Sequence, residues 1–419
     1  MKILVPALFL ILVISCSPKK PNIVEWRGED RNGIYHETDL LKAWPEEGPS
    51  ELWYREGIGS GYGSPVIENG LIYISGAIDS TAWLHCLSTE GKFIWQSKFG
   101  KEWVVNFPGS RSAPTIVDDL IYVGSGMGNL YCLEKATGNV VWSKDFASEF
   151  QGGLPRFGHS ESAVVDGDKV FWTPGGKEYN VVAMDRFSGD LLWANPGFGE
   201  RSGYHPPKVI TLSERKILVT FSAYHLMGLD VESGELLWSQ EMEGIEPDKR
   251  KPGMGDTHAN SVIFEDGAIY YATGDDGNFG VKLELSEDGT AITELWRNRD
   301  FDSYMGGIVK IDNYLYGSGT KKAQLKSINA TTGVLADTIK VGRGVVIEAD
   351  HMLYYYNFQG DLKLISYAEG KMEEVSSFKI TRGEKEHFSH PVINNGVLYL
   401  RHGGVLMAFG LTDLANLEI

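Results

Sequence analysis

Asp185-Arg186-Phe187-Ser188-Gly189-Asp190-Leu191-Leu192-Trp193 is followed 45 residues later by Asp230-Val231-Glu232-Ser233-Gly234-Glu235-Leu236-Leu237-Trp238. Each copy joins a tight turn to a strand, and its glycine supplies the positive φ that a β-branched residue could not accept. The glycine stands four residues before the tryptophan, a spacing repeated at Gly91/Trp95 and Gly138/Trp142. A turn of this composition between apolar runs is a hairpin signal.

Upstream of the turns an aliphatic residue precedes an aromatic one at Ile72-Tyr73, Ile121-Tyr122, Val170-Phe171, Ile269-Tyr270, Leu315-Tyr316, Leu353-Tyr354 and Leu398-Tyr399, with Ile217-Leu218 in the same slot. The intervals are 49, 49, 47, 52, 46, 38 and 45 residues, so one unit of four strands recurs. The first unit opens with its inner strand at Ser64-Pro65-Val66-Ile67, and no stretch of the mature chain carries a 3.6-residue apolar period. Later units are looser, since Trp296 follows Gly289 by seven residues and Gly333 and Gly370 lead to no tryptophan. The last unit has no tryptophan strand, whereas Glu51-Leu52-Trp53-Tyr54-Arg55 has one with no partners ahead of it. The pattern predicts an all-β, eight-bladed β-propeller of four-stranded antiparallel blades, its ring closed by that N-terminal strand so that no sheet edge is left open. The propeller is assigned to residues 51–411, after a signal peptide at 1–15 and a lead-in at 16–50, and before a tail at 412–419.

The formal net charge of −17 is scattered through loops, which describes a solvated surface and a poor partner for nucleic acid. Lys2 and the apolar run Ile3 to Ile14 read as a secretory signal, too short for a finished transmembrane helix. The run ends Val13-Ile14-Ser15-Cys16, which resembles the lipobox of bacterial lipoproteins and implies lipidation of Cys16 and a membrane contact through that anchor. Outer-membrane attachment facing the periplasm is the expected location, with the cell surface as the alternative. Cys86 and Cys132 occupy the same slot of neighbouring units. An exported protein can pair such residues, but diverging blades favour two buried small side chains.

The repeat Ala183 to Trp193 resembles the PQQ-type propeller repeat of quinoprotein dehydrogenases and of the BamB-type outer-membrane assembly lipoproteins. Trp26-Arg27-Gly28-Glu29-Asp30-Arg31-Asn32-Gly33 is similar to a motif ahead of the ring in exported PQQ-like propeller proteins. The enzymes of that group imply PQQ held over the ring centre, with Ca²⁺ on carboxylate and amide oxygens, an aspartate base and, in one branch, a disulfide between adjacent cysteines. This chain has no Cys-Cys pair and no alignable ligand set, so no cofactor is firmly implied and repeat alone does not confer redox chemistry.

Residues just before the inner strands are expected to face the mouth of the central channel. In that register stand His159, Tyr204 or His205, His258, Tyr304 and His387, with Arg111, Glu161, Asn260, Arg343 and His390 close by. Together they would offer donors, acceptors and a cation to a small polar ligand or a metal. The blander expectation is that they line a wet channel and bond across blades, because ring symmetry alone gathers equivalent positions at the axis. Gly57-Ile58-Gly59-Ser60-Gly61 reads as an ordinary loop and Asp275-Asp276-Gly277-Asn278 as a hairpin, neither having the spacing of a phosphate or calcium loop. Trp83 and Trp103 flank the first blade, where contact with a partner and burial against a blade edge are equal readings. The expected function is non-catalytic binding of an envelope protein or peptide, as in the BamB type. The alternative is small-ligand or metal binding, or a divergent PQQ-dependent dehydrogenase, at the channel mouth.

Overall fold

The computed structural model describes residues 21–242, 245–254, 256–274, 279–303 and 305–412. Eight four-stranded antiparallel blades surround one axis, and Cys16, Tyr304 and Asp275 to Asn278, singled out in the sequence, lie outside the described residues. Blade 1 runs Val66–Glu68, Leu71–Ile78, Thr81–Ser88 and Phe93–Lys101, labelled strands A to D. Its A strand touches the axis and its D strand the rim, and blades 2 to 7 follow in chain order. Blade 8 takes its inner strands from Val392–Asn394, Val397–His402 and Val405–Gly410 and its rim strand from Glu51–Arg55. Trp53 pairs with Ala408 and Tyr54 with Met407, so the two ends of the ring meet as the tryptophan count required.

The repeated phrase has a physical reason. Asp185 Oδ1 accepts from the backbone N–H of Phe187 and Ser188, and Asp230 Oδ1 does the same for Glu232 and Ser233, fixing the C–D turn. The tryptophan of one blade then lies on the turn glycine of the next. A Cβ on Gly234, whose φ is 74°, would fall 2.5 Å from the Trp193 ring. Trp53, Trp142, Trp193 and Trp296 each donate Nε1–H to a carbonyl of the next turn, at 2.8 to 3.0 Å. Where a rim tryptophan is missing, Tyr314 covers Gly370 instead. Between blades the apolar faces merge into separate cores, such as the one joining Tyr73, Leu84 and Cys86 of blade 1 to Ile121, Val123 and Leu133 of blade 2. Each fully buried aliphatic or aromatic there contributes roughly 1.5–3 kcal/mol. Cys86 and Cys132 are free thiols in such cores, and burial pushes their pKa values up to about 11 and about 12.

The lead-in does more than tether. Ile23–Val24 adds antiparallel to the A strand of blade 2 (Thr115–Val117), and Ile34–Tyr35 adds parallel to that of blade 7 (Gly344–Ala349). Residues 25–33 therefore cross the axis inside the ring. Arg27, wholly buried, donates to the carbonyls of Ile308, Val346 and Arg31 at 3.1 to 3.2 Å. Arg31 reaches the opposite blades, donating to Ala163 O at 2.6 Å and Pro207 O at 3.2 Å, and pairs with Glu25 at 2.7 Å. Two arginines thus satisfy inner-strand carbonyls on both sides of the axis, and the channel expected to run through the ring is occupied by its own chain.

Candidate functional site

The segments leading into the A strands are extended, so their side chains alternate between the axis and the clefts between blades. Tyr62 and Ser64, Arg111 and Ala113, Ser160 and Ser162, and Phe388 and His390 line a cup of about 260 Å³ at the mouth of the ring. Of the intervening residues Gly63 also borders it, whereas Ser112, Glu161 and Ser389 do not line it. This register differs by one residue from the expectation, which moves most of the predicted set out of the mouth. Arg111, His390 and Tyr204, the alternative to His205, are the predicted residues that line the cup among those described.

The displaced residues bond across blades. His159 Nε2 lies 3.3 Å from Ser202 Oγ and 3.5 Å from Glu161 Oε2, under the Trp172 ring at 4.6 Å. Glu161 Oε2 accepts from the hydroxyl and, at 3.2 Å, the amide of Thr173. The geometry resembles an ion pair, yet burial pushes the Glu161 carboxyl up to about 8 and the His159 imidazole down to about 4. Burial outweighs the attraction of the Arg31 guanidinium for the Glu161 carboxylate, so the two groups are better satisfied uncharged, and between these values the pair is neutral. Asn260 is a splice between blades 5 and 6, donating to Ala272 O and Ser303 O and accepting from Gly307 N. His258 Nε2 meets the Ala223 carbonyl at 3.0 Å, and His205 packs edge-on to Phe221 at 4.7 Å. Burial, with Arg31 and His258 nearby, pushes the His205 imidazole well below its usual range. His387 stacks on His402 at 3.7 Å and takes the Tyr356 hydroxyl on Nδ1, outside the cup. Arg343 is exposed beside a small cleft near Phe358.

What the parity shift brings to the mouth is aromatic. Tyr204, Phe157, Phe107, Phe388 and Tyr62 form an arc, with successive ring centroids 6.1, 5.9, 5.9 and 5.5 Å apart. Trp26, carried in by the lead-in, lines the cup and meets His390 edge-on at 5.0 Å. Phe107 sits at φ 45°, and Arg111 holds its loop by donating to the carbonyls of Gly109, Asn106 and Phe107. Trp103 anchors the same loop through Nε1 to Asn106 O at 2.9 Å, which favours burial over partner contact for that residue. Glu102 is committed to Ser110 Oγ and the amides of Trp103 and Gly126. Gly61, in the glycine-rich stretch, abuts Ser110 as an ordinary inter-blade contact.

Sequence reasoning named Tyr204 as the alternative to His205 but missed the rest of the aromatic arc, although the signal was present: Phe388 stands beside His387, and Phe157 two residues before His159. A Ca²⁺-bound quinone does not fit this cup. Among the described residues no carboxylate lines it, and no group of three or more His, Cys, Asp or Glu side chains is disposed to hold a metal.

A family model described as outer membrane protein assembly factor BamB matches residues 80–336, more than half of the chain. The chain is similar to a polyvinylalcohol dehydrogenase of Pseudomonas sp, 27% identical over 52% of this chain and 37% of that protein. It is also similar to BamB of Legionella pneumophila, 29% identical over 31% of this chain and 32% of that one. The chain thus spans about a third of the length of these relatives. Among solved structures, BamB from Moraxella catarrhalis superposes with a TM-score of 0.61 at 13% identity, over 86% of this chain and 99% of that one. The quinohemoprotein alcohol dehydrogenase of Comamonas testosteroni gives 0.51 at 13% identity, over 93% and 80%. At such identity the superpositions describe a shared fold.

Proposed function

The chain belongs to the family described as outer membrane protein assembly factor BamB, and from that premise we propose that it is a non-catalytic binding protein of the cell envelope, anchored through lipid on Cys16 and presenting the cup face to an envelope protein or peptide. The observation that carries this reading is the path of the lead-in. Asn22 lies at the A–B turns, its carbonyl accepting from Asp118 N at 3.1 Å and its amide donating to Glu68 at 2.7 Å. That is the end of the A strands opposite the cup. The six residue steps from Cys16 to Asn22 span at most about 22 Å, which would hold the A–B face toward a membrane and turn the mouth outward. Arg27 and Arg31 fix the lead-in to the ring, so orientation would be transmitted rigidly. Val105, on the mouth loop, is 75% exposed and suits contact with a partner.

The test has two parts. Cys16→Ser is expected to move the protein from the membrane to the soluble fraction; unchanged fractionation rejects the anchor. A photo-crosslinker at Val105 is expected to capture an envelope protein, whereas one at Asn395, on the A–B face, captures lipid. Lipid adducts from Val105, or no protein adduct there, reject the orientation and the binding role. The likeness to a dehydrogenase motivates a second reading, tested by adding PQQ and Ca²⁺ to purified protein and following dye reduction with alcohols. Turnover would replace the binding role.

A further inference from the structure

We infer that the cup at the mouth of the ring is a binding site for a small, flat aromatic monoanion. The inference rests on the proposed function only in taking the mouth as the working face. Shape comes first: five rings in an arc and Trp26 below them make walls for a planar ring, and 260 Å³ admits one or two fused rings with a substituent.

Charge comes second. Among the described lining residues Arg111 is the single formally charged side chain, in a protein of net charge −17. Its hydrogen bonds go to three carbonyls, and the carboxyl that faces it, Glu102, lies outside the cup and is spent on Ser110 and two backbone amides, so no carboxylate of the lining pairs with it. An anion entering there gains attraction in a partly desolvated site.

The third observation is independent of both. Three buried polar atoms on residues lining the cup have no hydrogen-bond partner: Trp26 Nε1, Thr257 Oγ1 and His390 Nδ1. His390 is 7% exposed and Thr257 8%. Unsatisfied buried donors and acceptors are rare because each costs free energy. All three atoms are closed off from the cup as it stands, so a ligand meets them only where the lining moves. A carboxylate or phenolate oxygen on a flat ring uses the Arg111 cation. A neutral hydrocarbon does not use that charge, and a sugar lacks the flat apolar body that the arc is built to cover.

Calorimetry on the full mature protein in detergent, with 2-naphthoate as the probe, tests the inference without reference to membrane orientation or partner. Saturable binding is expected. The neutral 2-naphthamide should bind about tenfold more weakly, through loss of the charge-assisted contact. Cyclohexanecarboxylate, which keeps the charge and loses the flat ring, should also bind about tenfold more weakly. Phe388→Ala is expected to weaken naphthoate by about tenfold, and Trp83→Phe, away from the cup, to leave it unchanged. Comparing charged and neutral probes keeps the charge test valid even if Arg111→Gln disrupts the loop that Arg111 holds. No heat at millimolar naphthoate, equal affinity for the amide, or indifference to Phe388→Ala overturns the proposal. So does tighter, Ca²⁺-dependent binding of PQQ, which would assign the cup to a metal-bound quinone.

Discussion

Glu161→Gln separates a neutral buried pair from an ion pair. Glu161 has no solvent exposure, and its carboxyl is pushed from the ordinary 4.5 up to about 8 by burial. Between those values the folded protein holds a proton that the unfolded chain releases, so the stability from this group is complete below pH 4.5 and declines as pH rises through 8. A span of about 3.5 units at about 1.4 kcal/mol each sets a ceiling near 5 kcal/mol. Glutamine keeps the shape and an acceptor for Thr173 while removing the titration. The variant should therefore match the parent near pH 5 and exceed it increasingly toward pH 8.5, by about 3–5 kcal/mol. Urea unfolding followed by circular dichroism at half-unit steps measures the difference directly. His159 acts with the opposite sign, since its imidazole is pushed down to about 4 and its stability is lost as pH falls from 6.5 toward 4. His159→Gln should accordingly gain relative stability in acid. If the 3.5 Å approach of His159 to Glu161 were an ion pair, Glu161→Gln would be most costly near neutrality. A variant that loses stability at pH 7, or a difference that does not change with pH, refutes the reasoning.

Trp53→Ala removes the Nε1 bond to Thr89 O at 2.8 Å and the ring over Gly91. It should cost about 2–4 kcal/mol, below the full range for a buried tryptophan because the ring is partly exposed. Amide exchange should accelerate first in Glu51–Arg55, and an unchanged exchange pattern would deny that this strand closes the ring. Arg27→Ala leaves three inner carbonyls without their donor and should cost about 3 kcal/mol or more in a urea titration. Arg27→Lys should restore little, because one ammonium cannot meet the same three carbonyls in the plane of a fork. Gly234→Val places a β-branched residue at φ 74° against Trp193 and should cost about 3 kcal/mol. A midpoint within error of the parent would mean the turn relaxes freely.

The ring was legible because its signals are local and repeated. Turn glycine, rim tryptophan and aliphatic-aromatic pair each serve one contact between neighbouring blades, and that contact occurs at nearly every interface. The orphan tryptophan strand at residues 51–55 followed from counting. The mouth was legible only to within one residue. Residues before the A strands do surround the axis, but a period of two makes one step of register decisive. Histidine drew the choice because its chemistry is versatile, while Phe388, one residue from His387, and Phe157, two from His159, reach the cup with Tyr62. The histidines occupy the inter-blade parity, where Phe146, Trp172 and Phe221 pack on their rings.

The lead-in was illegible for a different reason, and it changes how the ring works. Residues 22–35 occur once, have no periodicity and earn their conformation entirely from contacts hundreds of residues away, such as Arg27 with Val346. A propeller closed only by Trp53 would depend on one seam within blade 8, between Glu51–Arg55 and Val405–Gly410. Here Arg27 grips blades 6 and 7 while Arg31 grips blades 2, 3 and 4, so the axis is tied across the same gap from within. Opening the rim seam then leaves the inner strands connected. The Trp53→Ala loss should consequently stay local to the rim, whereas Arg27→Ala should loosen Trp26 and with it the cup. Aromatic binding at the mouth is therefore expected to fall with Arg27→Ala and persist with Trp53→Ala, although both weaken the fold.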